Sequence, residues 1–155
     1  VTALSSCGPF LVAAEGPFLR FYTREEHNYI SSRQVFQSQA IHGIAVVSAS
    51  DQFVKLVVWG GLLVRAVDLS VSADATYGTQ KLTLGALQFS KVSKAPDWIL
   101  DLSPRAKGQE KGANDGIAVC AAVTAHNALL ELSIRQTASG NDTQRYISWP
   151  DSGAG

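Results

Sequence analysis

The sequence predicts an all-β chain built of about three four-stranded units, and three observations lead there. Gly, Pro, Ser and Thr interrupt every apolar run within about ten residues, too soon for an amphipathic helix, and β-branched residues are frequent. One segment recurs: Leu11–Thr23 ("LVAAEGPFLRFYT") lies over Leu56–Asp68 ("LVVWGGLLVRAVD") at an offset of 45 residues, and again over Ala122–Ile134 ("AVTAHNALLELSI") 66 residues further on. Strand-like segments flank each copy, and a repeat of roughly 40 to 45 residues with four strands is the spacing of β-propeller blades. Three blades do not close a ring, which needs at least about four, so the expected architecture is a partial propeller.

Each copy is an apolar run, a short break and a second apolar run. The breaks are Glu15-Gly16-Pro17, Gly60-Gly61-Leu62 and His126-Asn127-Ala128, rich in residues that tolerate turn geometry, so each copy reads as a hairpin. Arg20, Arg65 and Glu131 occupy one position of the second run, flanked by Leu19 and Phe21, Val64 and Ala66, Leu130 and Leu132. Period-two alternation then predicts a buried face and a partly wet face. First strands are expected at "VTALSS" from Val1, "IHGIAVV" from Ile41 and "DWILDL" from Asp97; fourth strands at "SRQVFQ" from Ser32, "TLGALQF" from Thr83 and "RYISW" from Arg145. The units divide as residues 1–38, 39–92 and 93–149, with a tail at 150–155. Two polar insertions, Ser70–Gln80 and Ser103–Gly116, account for the larger third offset and are expected in surface loops.

Thirteen basic residues balance thirteen acidic ones, so overall charge favours neither nucleic acid nor an anionic membrane. With 46% hydrophobic and 17% charged residues among 155, the chain should fold around a buried core. It contains no Met, so Val1 reads as an internal or processed start of something longer. Cys7 and Cys120 sit in or beside apolar runs and are expected to be reduced, buried thiols in a cytoplasmic setting. No apolar run reaches the roughly 20 residues that span a bilayer. Asn141-Asp142-Thr143 fits the glycosylation triplet, a pattern that recurs by chance.

Catalytic and cofactor chemistry finds no support in the motifs. There is no Gly-x-Ser-x-Gly elbow, no phosphate-binding glycine loop and no paired His or Cys at metal-ligand spacing around His27, His42 or His126. Neither a cofactor nor a metal is expected. Glu25-Glu26, beside Arg24 and His27, reads as a solvated turn, and Arg105, Lys107 and Lys111 are offset by Glu110 and Asp115. Ser103-Pro104 is a candidate phosphorylation site in a segment whose Ser-Pro pair also serves turn geometry. Asp97 and Asp101 flank Trp98; such a group either lines a binding rim or accepts backbone N–H bonds in the turn that starts a strand. Glu15, His42, Asp97, Trp98 and His126 are therefore the candidate rim contacts.

Four stretches in order, "LVAAEGPFLRFY" (Leu11–Tyr22), "IHGI" (Ile41–Ile44), "PDWILDL" (Pro96–Leu102) and "AVTAHNALLELSI" (Ala122–Ile134), resemble the N-terminal blades of the WD-repeat subunit that partners the tRNA anticodon-loop 2′-O-methyltransferase. Ala14 and Ala125 stand where that pattern has Gly, and no Trp-Asp dipeptide ends a unit. The resemblance implies a non-catalytic, multi-propeller scaffold that binds the methyltransferase subunit and helps place tRNA for ribose methylation at the first anticodon nucleotide. It also implies that the methyl donor is held by the partner enzyme. Further blades of the same chain would cover the open edges; otherwise those edges are expected to pair with another chain. A propeller module in membrane trafficking or ubiquitin-ligase adaptation is the alternative.

Overall fold

Short alternating runs punctuated by tight turns fold into antiparallel meanders. In the computed structural model, which describes residues 2–50, 52–76, 79–104, 118–139 and 142–149, three sheets follow one another along the chain. The first holds β1 (Ala3–Cys7), β2 (Phe10–Glu15), β3 (Phe18–Thr23) and β4 (Tyr29–Gln34). The second holds β5 (Gly43–Ala49), β6 (Phe53–Gly60), β7 (Leu63–Thr76) and β8 (Thr79–Phe89), with the two-residue β9 (Ser93–Lys94) added beside β7. The third holds β10 (Ile99–Pro104), β11 (Ala118–Thr124), β12 (Leu129–Ser139) and β13 (Asp142–Ser148). Every pairing is antiparallel between sequence neighbours, apart from β9. The fold is thus all-β, with three four-strand meanders. No helix among the described residues is long and apolar enough to cross a membrane.

Turn chemistry sets the hairpins. Gly8-Pro9 and Gly16-Pro17 make two-residue connections closed by Cys7↔Phe10 and Glu15↔Phe18, each with positive φ at glycine (58° and 57°) followed by a proline, the sign pattern of a type II′ turn. Gly61, at φ 60°, does the same between Gly60 and Leu63. The third central hairpin differs. Asn127 carries the positive φ (61°), and Asn127 N–H donates to Thr124 O while Thr124 N–H donates to Ala128 O, both at 3.0 Å. Its loop is the three residues Ala125, His126 and Asn127.

That extra residue has a structural consequence, because a one-residue slip moves every following side chain to the opposite face. Leu56 and Ala122, 66 residues apart, both face the preceding sheet. Beyond the turn the correspondence fails. Arg65 faces the first sheet, but Leu130, Leu132 and Ile134 face the second sheet and Glu131 points the other way. Arg20 and Arg65 are thus true counterparts, and Glu131 is not.

The sheets stack face to face. Phe10, Val12, Ala14, Leu19 and Phe21 of the first pack against Val54, Leu56, Val58, Val67 and Leu69 of the second, with Phe10 and Phe21 edge to face at 6.1 Å. Val57, Trp59, Val64 and Ala66, on the other side of the second sheet, pack against Ile99, Cys120, Ala122, Leu132 and Ile134. The second sheet is buried on both faces, which explains the nearly unbroken apolar β6, "FVKLVVWG". The partly wet face predicted for every unit is absent there. Gly43 is required by this packing: a Cβ on it would lie 2.0 Å from Trp59 Cζ2.

Two strand expectations need correction. The first fourth strand is Tyr29–Gln34 rather than a strand from Ser32, because Val35 and Phe36 leave the sheet and are buried at its seam with the second. Ser70–Gln80 is not a loop insertion either. It lengthens β7 and β8, paired from Val71↔Leu84 to Thr76↔Thr79. Of the second insertion, Ser103 and Pro104 end β10, and residues 105–116 lie outside the described residues, as does 150–155. The two cysteines are free and buried, Cys7 between the first two sheets and Cys120 between the last two, and no bridge joins them.

Candidate functional site

The three central hairpins present their turns to the connectors between sheets, and the first two do so in the same way. Val35 N–H donates to Pro17 O (2.8 Å) and Ile41 N–H to Gly16 O (2.9 Å). One sheet later, Ala95 N–H donates to Leu62 O (2.6 Å) and Ile99 N–H to Gly61 O (3.2 Å). All four donor residues are buried, so each connector satisfies its own backbone and the turn carbonyls together. This repeated hook places the start of each new sheet beside the preceding hairpin tip.

Four candidate rim residues meet at the second and third tips. His42 N–H donates to Trp59 O (2.8 Å), and His42 Nδ1 accepts from Gly61 N–H at 3.0 Å, which leaves the other ring nitrogen to carry the proton of the neutral imidazole. Its ring lies 5.6 Å from that of Trp98, inclined by 30°. Trp98 is 47% exposed, and its carbonyl accepts from Ala125 N–H at 2.9 Å.

Asp97 organises the third tip. Oδ1 accepts from Trp98 N–H (2.7 Å), and Oδ2 accepts from His126 N–H (3.2 Å) and lies 2.8 Å from His126 Nδ1. The His126 contact, opposed by burial and reinforced by Trp98 N–H, the Thr124 side chain and His126 N–H, holds the Asp97 carboxyl down at about 2. Asp97 is the turn-capping carboxylate, tying the connector to the hairpin. Both of its oxygens are engaged by groups of its own chain. His126 extends outward, its side chain 86% exposed.

Glu15 stands apart from this group. It is the last residue of β2, and its carboxylate pairs with Arg20 Nε at 3.0 Å in the open. The turn itself is Gly16-Pro17, whose carbonyls hold the first connector. Asp101 caps the N–H of Leu102, the residue after it in β10. Glu25 and Glu26 belong to the connection after β3, where His27 takes a positive φ and donates to Thr23 O, as a solvated turn should.

Other informative residues carried weaker sequence signals. Arg65 Nε donates to Ser90 O at 2.7 Å and Nη1 to Val35 O at 2.6 Å, and its guanidinium lies 4.7 Å from the Phe89 ring centre. Burial lowers the tendency of this guanidinium to hold its proton, without making it neutral. Its shared position with Arg20 was the only clue. Ser90 Oγ accepts from Ala66 N–H (2.9 Å), and the buried Trp59 Nε1–H has no hydrogen-bond partner among the described residues.

No group of three or more His, Cys, Asp or Glu side chains among the described residues could hold a metal ion. No family model, curated protein or solved structure matches the chain. The cluster is therefore characterised by its own chemistry: an exposed indole, one imidazole 5.6 Å from it and inclined by 30°, and a second imidazole held outward by the Asp97 carboxylate.

Proposed function

We propose that the chain is a non-catalytic, WD-repeat-like propeller segment that serves as a scaffold in a tRNA-modification complex, assisting ribose 2′-O-methylation of the first anticodon nucleotide. The observation that supports the reading is the twice-repeated hook between hairpin tip and connector, an arrangement expected of successive blades in one stack. The four ordered motifs bear on it too: "EGP" supplies the first hook, "IHG" the His42 capping and the Gly43 space for Trp59, "DW" the Asp97 cap, and "HN" the third tip. Trp98, His42 and His126 form the rim surface offered to the partner enzyme.

Co-purification tests the proposal. The tagged protein, mixed with a methyltransferase of this class and with tRNA, should retain the enzyme, and the Trp98→Ala, His126→Ala double substitution should weaken retention about tenfold, the equivalent of about 1.4 kcal/mol. Recovery of coat or ubiquitin-ligase subunits in place of the methyltransferase would select the alternative protein-interaction role. Glu15→Ala should leave retention unchanged.

A further inference from the structure

The second sheet ends unevenly on the side away from its hairpin tip. β6 pairs with β7 only as far as Phe53↔Ser70, whereas β7 and β8 stay paired to Thr76↔Thr79, so these two strands run on as a ribbon. A bulge marks where the ribbon starts: Gly85 and Ala86 stand opposite Ser70, and a Cβ on Gly85 would lie 2.2 Å from Ser70 Oγ. Val71 N–H donates to Gln52 O at 2.8 Å, toward the β6 side. Main-chain groups alternate in direction along a strand, so Ala73 and Ala75 turn N–H and C=O to that same edge, while Ser72, Asp74 and Thr76 serve the pairing with β8. Beyond Ser70, no strand among the described residues pairs with β7 on that edge. The ribbon is also two-sided. Val71 and Leu84, paired in register, both pack against the core between the first two sheets. Alternation puts Ala73, Ala75 and Leu82 on the same side of the ribbon, and Ser72, Asp74, Lys81 and Thr83 on the other.

We infer that the edge of β7 from Val71 to Thr76 takes an extended strand of a partner protein, paired antiparallel through its main chain and continuing the line of β6. A row of unpaired N–H and C=O groups is a template for another strand, and a two-stranded ribbon is marginal in water until a third strand joins it. The added strand exchanges both N–H···O bonds with Ala73 and with Ala75, and it runs antiparallel to β7 as β6 does. Its chemistry follows from the two sides of the ribbon. Apolar, β-branched residues stand opposite Ala73 and Ala75, and polar residues stand between them. Stacked sheets do not compete for this edge: the second sheet has a sheet packed on each face, so a further sheet at either end of the row meets another surface. The edge also lies at the opposite end of the sheet from the Gly60–Leu63 tip, so the inference is independent of the rim reading.

Amide hydrogen exchange and an NMR titration on the whole chain test this, with the end-capped peptide Lys-Thr-Val-Thr-Val-Thr-Lys as the probe. The Ala73 and Ala75 amides should exchange quickly in the free protein and slow about tenfold or more at saturating peptide. Ala73→Pro removes an N–H from the open edge and leaves the ladder to β8 intact, so it should raise the dissociation constant about tenfold or more. Circular dichroism checks that this variant folds, and Ala75→Pro replaces it where it does not. The same peptide N-methylated at both valines, tested on the wild-type chain, should lose binding to a similar extent, because its side chains are kept and its main-chain donors are not. Protection of both amides in the free protein overturns the inference, as does an absence of slowing with peptide or slowing confined to other strands. Undiminished binding of the N-methylated peptide, or by the proline variant, overturns it as well.

Discussion

Arg65 Nη1 donates to the carbonyl of Val35 at 2.6 Å, across the seam between the first two sheets. The same guanidinium reaches Ser90 O from Nε, so one side chain holds both connectors that leave and enter the second sheet. Its counterpart Arg20 pairs with Glu15 in solvent.

Position in the repeat therefore does not set what an arginine contributes. Arg65→Ala should cost about 2 to 3 kcal/mol, since charge-assisted bonds to two carbonyls are lost. Arg20→Ala should cost under about 0.5 kcal/mol, as an exposed pair does. Denaturant midpoints of the two variants check the contrast. Arg65→Lys should recover little, because an ammonium cannot reproduce the two-pronged geometry.

The left-handed turn positions separate two kinds of glycine requirement. Gly16 has φ 57° and open space around a hypothetical Cβ, so Gly16→Ala should cost about 1 to 2 kcal/mol from backbone strain alone. Gly43→Ala should cost more, because the new methyl meets the Trp59 ring. Asn127→Gly should be neutral or stabilising at φ 61°. Thermal unfolding of the three variants orders them.

Acid should weaken the third tip through Asp97. Its folded-state value lies below the ordinary 3.8, at about 2, so its stabilising contribution is complete above about pH 4 and is lost as the pH falls toward 2. Carboxyl carbon shifts should titrate near the low value in the wild type and move toward 3.8 in His126→Ala, since that imidazole is the largest cause. An unchanged titration in His126→Ala would show that the Trp98 and Thr124 bonds suffice.

Thiol chemistry should report on unfolding. Burial pushes Cys7 up to about 12 and Cys120 up to about 11, so neither forms much thiolate near pH 8. An aromatic disulfide reagent should label both slowly in native protein and rapidly in denaturant. The two lie in separate cores, so different labelling rates would measure separate openings of the two seams.

The sequence by itself determined most of the strands and the hairpin turns, because alternation, β-branched content and Gly-Pro or His-Asn breaks are local properties. Those signals placed the first strands, the three hairpins and the four-strand count. The alternation of Val71, Ala73 and Ala75 with polar residues also marked the continuation of β7, but the polarity of the segment obscured it. Of the candidate residues, Asp97 was legible as either a rim group or a cap, and only its partners, one of them 29 positions away at His126, decide for the cap. Tertiary structure alone decided that Trp98 meets His42, that Arg65 is enclosed while Arg20 is not, and that one added residue in the third turn reverses the side chains of β12. The physical reason is common to all three. A strand's pattern sets which residues share a face, whereas the sheet packed against that face sets whether each becomes core, connector bond or exposed rim.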